Sequence, residues 1–385
     1  MRVLLAPGGM YPEPRGVPLA GAGTGLPAHR VARALADGWA RARPRDVLRL
    51  LALPDGGAGS AASWPRGVTR SHRLEVAGPL GGERPVDLLC LTAPRQGAPC
   101  PSTWFLDAGS LLALPADPHQ AGLHLLRGSS RGLGQALAGA LDLVGGRDTL
   151  VVGLGRSAVH DGGSGLVQAL GGVEGAQDVA SGRDLVLALA DTTALGGVAG
   201  AGRELAGLTD LEPAVIQEAD RAACTTAVAL AAGLSGPAPR PVHLVPRGLA
   251  EGEVVRATAW GTGAAGGCAL VLRSLGARAL PGPRVISGLV GLDQEVAGAD
   301  LVVTAVGEAY TLLEDSVPVV AGQAAASTAL PAVLVAGRAR LPRSELAQAG
   351  LGGLLTLGQD WPVDPHGLEE ALRRAGSRLA RTWSR

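Results

Sequence analysis

The sequence predicts an α/β protein of two domains: an open parallel-sheet domain built from both chain ends, and a mixed α/β domain inserted between them. Three observations predict this. The front and back of the chain alternate short, near-continuous apolar runs with helical stretches, the pattern of a parallel sheet covered on both faces. The middle, roughly 65–285, carries strand candidates of uneven spacing between Ala-rich helical stretches. The length, 385 residues, exceeds one small core and suits two domains. The expected division is 1–64 with 286–385, and 65–285. No internal repeat is visible.

RVLLAP (2–7) is the first strand. The stretch 27–42 places Val31, Leu35 and Trp39 at helical spacing, and DVLRLLALP (46–54) is the next strand. In the middle, ERPVDLLCLTAP, STWFLDAG, DTLVVGLG, RDLVLALAD and VVRATAW (254–260) are strand candidates, with helices over 132–143 and 213–233. Towards the end, 299–305, 332–337 and 352–358 are apolar strands and 366–382 is a helix. The uncharged stretch 316–337 is long enough to raise a membrane span, but its Gln323, Ser327, Thr328 and Pro331 favour a helix, a break and a strand. The Gly/Pro-rich stretch 8–25 is expected to be a surface loop. Trp104 and Phe105 are expected in the core.

Composition excludes several functions. With 34 basic and 34 acidic residues, the chain has neither the basic stripe of a nucleic-acid binder nor a polybasic membrane anchor. Every basic residue apart from histidine is Arg, so any mechanism that needs a Lys ammonium is excluded. Cys90, Cys100, Cys224 and Cys268 show no C-x-x-C spacing, which removes zinc and redox motifs. The expectation is a cytoplasmic protein, monomer or homodimer, that acts on a small molecule without nucleic acid or membrane.

Four Gly-rich turns follow apolar strands: APGG (6–9), PDGGAGS (54–60), GLGRSAVHDGGSG (153–165) and GTGAAGG (261–267). Such turns aim backbone N–H groups into a concavity, and helices start after the last two, so they suit phosphate or carboxylate. The acids near them are Asp55, Asp107, Asp161, Asp191 and Glu308. Phosphoryl transfer uses carboxylates to hold Mg²⁺ and to accept a hydroxyl proton. Asp191 ends an apolar strand, where open α/β sheets place ligands. Asp161 fits a site role and a turn cap equally well.

These residues have a known counterpart. LVVGLGRSAVHDGGSGLVQALGG resembles the central motif of the bacterial glycerate kinases, IGGSATNDGGAGMAQALG. PDGGAGS resembles their ADGGEGT, GTGAAGGCALVLRSLGARALPG their GGGAAGGMGA…LGA, and GLVGLDQEVAGADLVVTAVGE their stretch ending in ADLVITGEG. The resemblance spans nearly the whole chain. It implies a Rossmann-like domain with an inserted α/β domain, and transfer of the ATP γ-phosphate, with Mg²⁺, to a hydroxyl of D-glycerate. Carried over, Asp191 is the candidate carboxylate facing the glycerate hydroxyl, with Asp161 as second catalytic candidate. Asp55, Gly56, Gly57, Ser157, Gly162, Gly163, Gly263, Gly266, Gly267 and Glu308 are candidate substrate or nucleotide contacts. Asp55 and Asp161 are the Mg²⁺ candidates.

The departures matter as much. Family charges are replaced by Gly8, Tyr11 and Ala58, the Asn before DGG is His160, and GEGRID…HGK reads GEAYTLLEDSVP. Each lost charge sits where phosphate, metal or carboxylate would be held, and one lost electrostatic stabiliser commonly costs ~10²–10³ in rate. Arg156, which replaces a Gly, is a candidate substitute. Two readings follow: Mg-ATP-dependent phosphoryl transfer to D-glycerate or a related hydroxy acid, or a catalytically degenerate relative that binds or regulates.

Overall fold

The computed structural model describes residues 1–13, 19, 23–64, 68–91, 101–235, 255–312 and 314–384. The chain divides into two compact units: Met1–Asp55, Ala62–Arg66 and Pro281–Arg385 form one, Gly56–Ala61 and Gly67–Leu280 the other.

The first unit begins with β1 (Arg2–Leu5), α1 (Ala28–Ala42) and β2 (Val47–Leu50). The second unit contributes β3 (Val68–Ala77), β4 (Glu83–Leu91), β5 (Thr103–Leu106), α2 (Ala108–Leu111), α3 (Pro118–Arg127) and α4 (Arg131–Leu143). It continues with β6 (Thr149–Leu154), α5 (Ser164–Ala169), α6 (Gly172–Ala180), β7 (Asp184–Leu189), α7 (Ala201–Leu205), α8 (Pro213–Leu234), α9 (Cys268–Ser274) and β8 (Arg278–Pro281). The chain then completes the first unit with α10 (Gly282–Val290), α11 (Leu292–Ala297), β9 (Leu301–Ala309), α12 (Val317–Ser327), β10 (Ala332–Ala339), α13 (Arg343–Gln348), β11 (Gly353–Thr356) and α14 (Pro365–Trp383).

The sheet of the first unit runs β11-β10-β9-β1-β2, and its neighbouring strands are all parallel. Alternation along the strands divides the core. Val3, Leu5, Val303 and Val335 face α1 and α14, meeting Leu35, Trp39 and Leu372. Leu4, Val302 and Leu334 face the other way, onto Val296, Val320 and Leu346. Both faces are covered, which is why these strands read as unbroken apolar runs. The winding reverses between β1 and β9, and the carboxyl ends of such a pair are the usual ligand position in open sheets.

The second unit holds a mixed sheet, β3-β4-β5-β6-β7-β8. Its β3, β4 and β5 are antiparallel neighbours, whereas β5, β6 and β7 are parallel. One face packs Leu88, Trp104, Leu106, Val152 and Leu187 against Leu133, Leu137, Leu166 and Val271 of the covering helices. Trp104 and Phe105 are core residues, as expected.

Three expectations need correction. Of the expected strand 254–260, residues 255–260 form no strand, and 257–260 are turns and a bend. The buried Thr262 hydroxyl lies 2.7 Å from the carbonyl oxygens of both Ala257 and Ala259 and accepts from the Leu195 N–H at 3.0 Å, which folds this segment on itself. Strand β3 was not anticipated, because polar residues from Arg70 to Arg73 leave it no long apolar run; as an edge strand it turns Arg73 and Glu75 outward, alternating with Leu74 and Val76, and Arg73 meets Asp87 across the pair at 3.3 Å. The stretch 8–25 is anchored at both ends rather than loose there: Met10 and Leu26 are buried and exchange backbone hydrogen bonds at 2.9 and 2.8 Å. Its residues 14–18 and 20–22 lie outside the described residues, as does Cys100. The stretch 316–337 is a helix followed by a strand, and no helix among the described residues is long and apolar enough to cross a membrane.

Candidate functional site

In the second unit the parallel register pairs Leu154 of β6 with Leu189 of β7. Two residues beyond each strand end stand Arg156 and Asp191, so the register sets them side by side. Their contact is bidentate: Arg156 Nε donates to Asp191 Oδ2 at 2.7 Å and Nη2 to Oδ1 at 2.8 Å. Nη2 also donates to Thr193 Oγ1 at 2.6 Å, and the Thr193 N–H donates to Asp191 Oδ1 at 3.0 Å. The remaining guanidinium nitrogen, Nη1, meets the Glu204 carboxylate of α7. The Asp191 side chain is 2% exposed and Arg156 13%, whereas Glu204 is 37% exposed. One cation thus lies between two carboxylates, and both oxygens of Asp191 already accept hydrogen bonds.

Asp161 has a different role. Its Oδ2 accepts from Ser130 N, Ser130 Oγ and Gly165 N at 2.8, 2.9 and 3.1 Å, and its Oδ1 accepts from Gly163 N at 3.0 Å. Ser130 is the residue that opens α4, and Gly163 and Gly165 flank the start of α5. The carboxylate therefore satisfies donors at two helix starts, which would otherwise lack partners. The carboxylate is occupied by the chain itself, so the cap reading accounts for Asp161.

The Gly-rich turns pack on one another. Gly162 N donates to Gly266 O at 3.1 Å, Ala265 N to Gly155 O at 3.0 Å, and Gly263 N to Thr193 O at 2.9 Å. Gly266 has a φ of +64°, and a Cβ there would stand 1.9 Å from the carbonyl oxygen of Val159. Gly267 and Gly163 open α9 and α5 with left-handed backbones. Ser157 is buried and its Oγ accepts from the Val159 N–H at 3.0 Å. His160 is buried beside them, its Nε2 2.8 Å from Asp220 Oδ1 on α8.

The turn after Asp55 is held from α2. Gly59 N donates to Ser110 Oγ at 2.8 Å, Ala61 N to Asp107 Oδ2 at 3.1 Å, and Ser110 Oγ to Asp107 Oδ2 at 2.8 Å. Burial pushes the Asp107 carboxyl up to about 6, against the pull of these hydrogen bonds. Gly56 and Gly57 belong to this turn; the Gly56 backbone passes so close to Ala188 that a Cβ would lie 2.7 Å from its carbonyl oxygen.

In the first unit, Glu308 stands near the carboxyl end of β9, opposite Arg338 of β10 in the register. Arg338 approaches it at 4.0 Å, and the Tyr310 hydroxyl donates to it at 2.6 Å. The Glu308 N–H donates to Glu13 Oε1 at 3.4 Å. Burial pushes the Glu13 carboxyl up to about 8; that hydrogen bond opposes the shift, and the charges of Glu308 and Asp55 add to it. Asp55 and Glu308 therefore share one electrostatic environment in this unit, centred on Glu13.

Among the sequence candidates, Arg156, Asp191 and Gly263 gather at the β6 and β7 ends, and Asp161, Gly162, Gly163, Gly266 and Gly267 pack beside them. Sequence reasoning missed Glu204, Thr193, Ser130 and Glu13. Glu204 lies in an ordinary helical stretch, AGREL, and nothing local marks it. Thr193 was discernible only as a neighbour of Asp191, and Glu13 only as the one acid within the Gly/Pro-rich loop. Among the described residues no group of three or more His, Cys, Asp or Glu could hold a metal ion.

Comparison with known proteins gives these features a context. The sequence model of the glycerate kinase family matches residues 23–195 and 239–385. An uncharacterized protein of Mycobacterium bovis is 29% identical over 351 residues, covering 88% of this chain and 82% of the relative. A glycerate kinase of Halalkalibacterium halodurans is 26% identical over 343 residues, covering 81% and 82%. A crystal structure from Salmonella typhimurium LT2, provisionally assigned as glycerate kinase 2, shares the fold with a TM-score of 0.68 at 24% identity, over 99% of this chain and 98% of that one.

Proposed function

The chain belongs to the glycerate kinase family, and from that premise we propose that it transfers the γ-phosphoryl group of ATP, presented with Mg²⁺, to a hydroxyl of D-glycerate or a related small hydroxy acid. The observation that supports this most directly is the charged trio of Arg156, Asp191 and Glu204, at and beside the carboxyl ends of two neighbouring parallel strands. Open parallel sheets hold ligands at such ends. Phosphoryl transfer asks the protein mainly for positioning and charge, with a carboxylate to receive the hydroxyl proton. A reaction that draws on ATP fits a cytoplasmic protein.

Mg²⁺ does not find a ligand set among the described residues. Asp161 is taken up by Ser130, Gly163 and Gly165, and among the described residues no group of three or more His, Cys, Asp or Glu could hold a metal ion. In this proposal the ion travels with the nucleotide phosphates, and no step is assigned to a protein-held metal. The Gly-rich turns are not offered as a phosphate cradle by their backbone, because the N–H groups of Gly162, Gly163, Gly263, Ala265 and Gly266 already donate within the chain.

One observation favours the second reading, a degenerate relative that binds without catalysis: Arg156 holds both oxygens of Asp191. A coupled ADP-release assay with purified protein, Mg-ATP and D-glycerate separates the two. The expected result is turnover that Asp191→Asn lowers by ~10² or more. No turnover from protein shown to be folded would transfer the chain to the second reading.

A further inference from the structure

We propose that Glu204, rather than Asp191, is the carboxylate that takes the proton from the acceptor hydroxyl, with Arg156 and Asp191 as its positioning partners. This rests on the phosphoryl-transfer function proposed above.

The geometry separates the two acids. Asp191 is 2% exposed, and three donors, Arg156 Nε, Arg156 Nη2 and the Thr193 N–H, occupy its two oxygens. A substrate hydroxyl cannot reach such a carboxylate without displacing a buried guanidinium. Glu204 is 37% exposed, and its Oε2 meets that guanidinium. Its Oε1 has the Thr193 hydroxyl at 3.5 Å, and Glu204 is the more exposed of the two carboxylates.

The chain also holds Glu204 in place. Its short helix is tied down by the Ala201 N–H donating to Ala194 O at 2.9 Å, and the neighbouring Leu205 is fully buried. Charge follows the same logic. One guanidinium against two carboxylates leaves one net negative charge. With Asp191 locked in two parallel N–H···O bonds, the carboxylate open to solvent is the one placed to accept a proton. Asp191 then orients Arg156, and Arg156 orients Glu204, a relay in which the buried acid acts only through the cation.

The step balances as follows. The acceptor hydroxyl oxygen forms a bond to the γ-phosphorus of the nucleoside triphosphate. The bond from that phosphorus to the β,γ-bridging oxygen breaks, and ADP leaves with the electron pair. The hydroxyl proton passes to Glu204 Oε1 and afterwards to solvent. Because the transition state of such transfers is loose, a modest base suffices.

The test is steady-state ADP release with Mg-ATP and varied D-glycerate for the wild type, Glu204→Gln and Glu204→Asp, each checked for folding by thermal melting. Expected is a fall in kcat of ~10² or more for Glu204→Gln with KM for glycerate changed less than about threefold. For Glu204→Asp, one methylene shorter, a smaller fall of about tenfold is expected, again in kcat. Glu204→Gln with kcat within about threefold of wild type, or with the whole effect in KM, overturns the assignment of Glu204 alone. Failure of both variants to fold also overturns it, since Glu204 would then be structural. A folded wild type without turnover overturns the underlying phosphoryl-transfer function as well, so the two failures are distinguishable.

Discussion

At the ends of β6 and β7 a guanidinium stands between two carboxylates, whereas near the end of β9 the charges of Glu308 and Asp55 bear on a buried Glu13, and Arg338 approaches Glu308 at 4.0 Å. Both groups occupy the same kind of position, the polar rim beyond apolar parallel strands. They settle the burial of acids by opposite means. In the second unit the two carboxylates stand against a fixed cation, and hydrogen bonds to Asp191 offset the cost of its desolvation. In the first unit burial and like charge drive a proton onto Glu13, whose carboxyl rises to about 8. An acid count in the sequence cannot separate these cases, because the difference lies in burial and in the neighbours the fold supplies.

Three perturbations test this comparison, beginning with the one expected to be largest. Gly266→Ala would place a Cβ 1.9 Å from the Val159 carbonyl oxygen at a φ of +64°. A loss of more than about 4 kcal/mol is expected in denaturant unfolding, because backbone must move. A loss under about 1 kcal/mol would mean that the two turns are not in firm contact, and that the motif glycines serve something other than packing.

Arg156→Ala comes next. It leaves Asp191, 2% exposed, and Glu204 without their shared cation. Removing one partner of a buried pair typically costs about 3–5 kcal/mol. The sharper experiment adds Asp191→Ala: the double variant should lose less than the sum of the single losses, since no buried charge is then stranded. Additive losses would show that the pair is not coupled, and the paired half of the comparison would fail.

The third perturbation is a pH dependence. The Glu13 carboxyl is raised from 4.5 to about 8 in the folded chain, so the folded state keeps a proton that the unfolded chain releases. Stability contributed by this group is full below about pH 4.5 and is lost as pH rises towards 8. Glu13→Gln should remove that decline in unfolding curves measured across this range. Asp107, raised to about 6, contributes a decline of the same sign that should persist in the variant below that pH. An unchanged slope in Glu13→Gln would show that Glu13 is ionised in the fold, and the contrast between the two clusters would disappear.

Much of the architecture could be read in advance. Runs such as LVLALAD are apolar at every position because both faces of a parallel strand are buried, and that signal needs no partner to be recognised. Helices α1, α8 and α14 announced themselves by periodicity or by Ala-rich composition. The segment 255–260 did not: Val255 and the alternation after it look like a strand, and only the buried Thr262 hydroxyl, drawn to carbonyl oxygens of the same segment, decides otherwise. In the site, Asp191 and Arg156 could be singled out as residues of interest. That they bind each other could not, since 35 residues separate them and the contact depends on the β6–β7 register.

By itself, then, the sequence determined the alternation of strands and helices, the Gly-rich turns at strand ends, the absence of lysine chemistry and the likeness to the glycerate kinases. Each of these is a local property, legible from spacing and residue type. Tertiary structure alone decided how the charges are used. Asp161 became a double helix cap because Ser130 opens α4 within 2.9 Å of it. Asp191 became a buried counter-ion, and Glu204 became the acid left facing solvent, because one guanidinium on a neighbouring strand end reached both. The free energy of a carboxylate depends on its donors, its cations and its access to water, and in this chain those are supplied by residues distant in sequence.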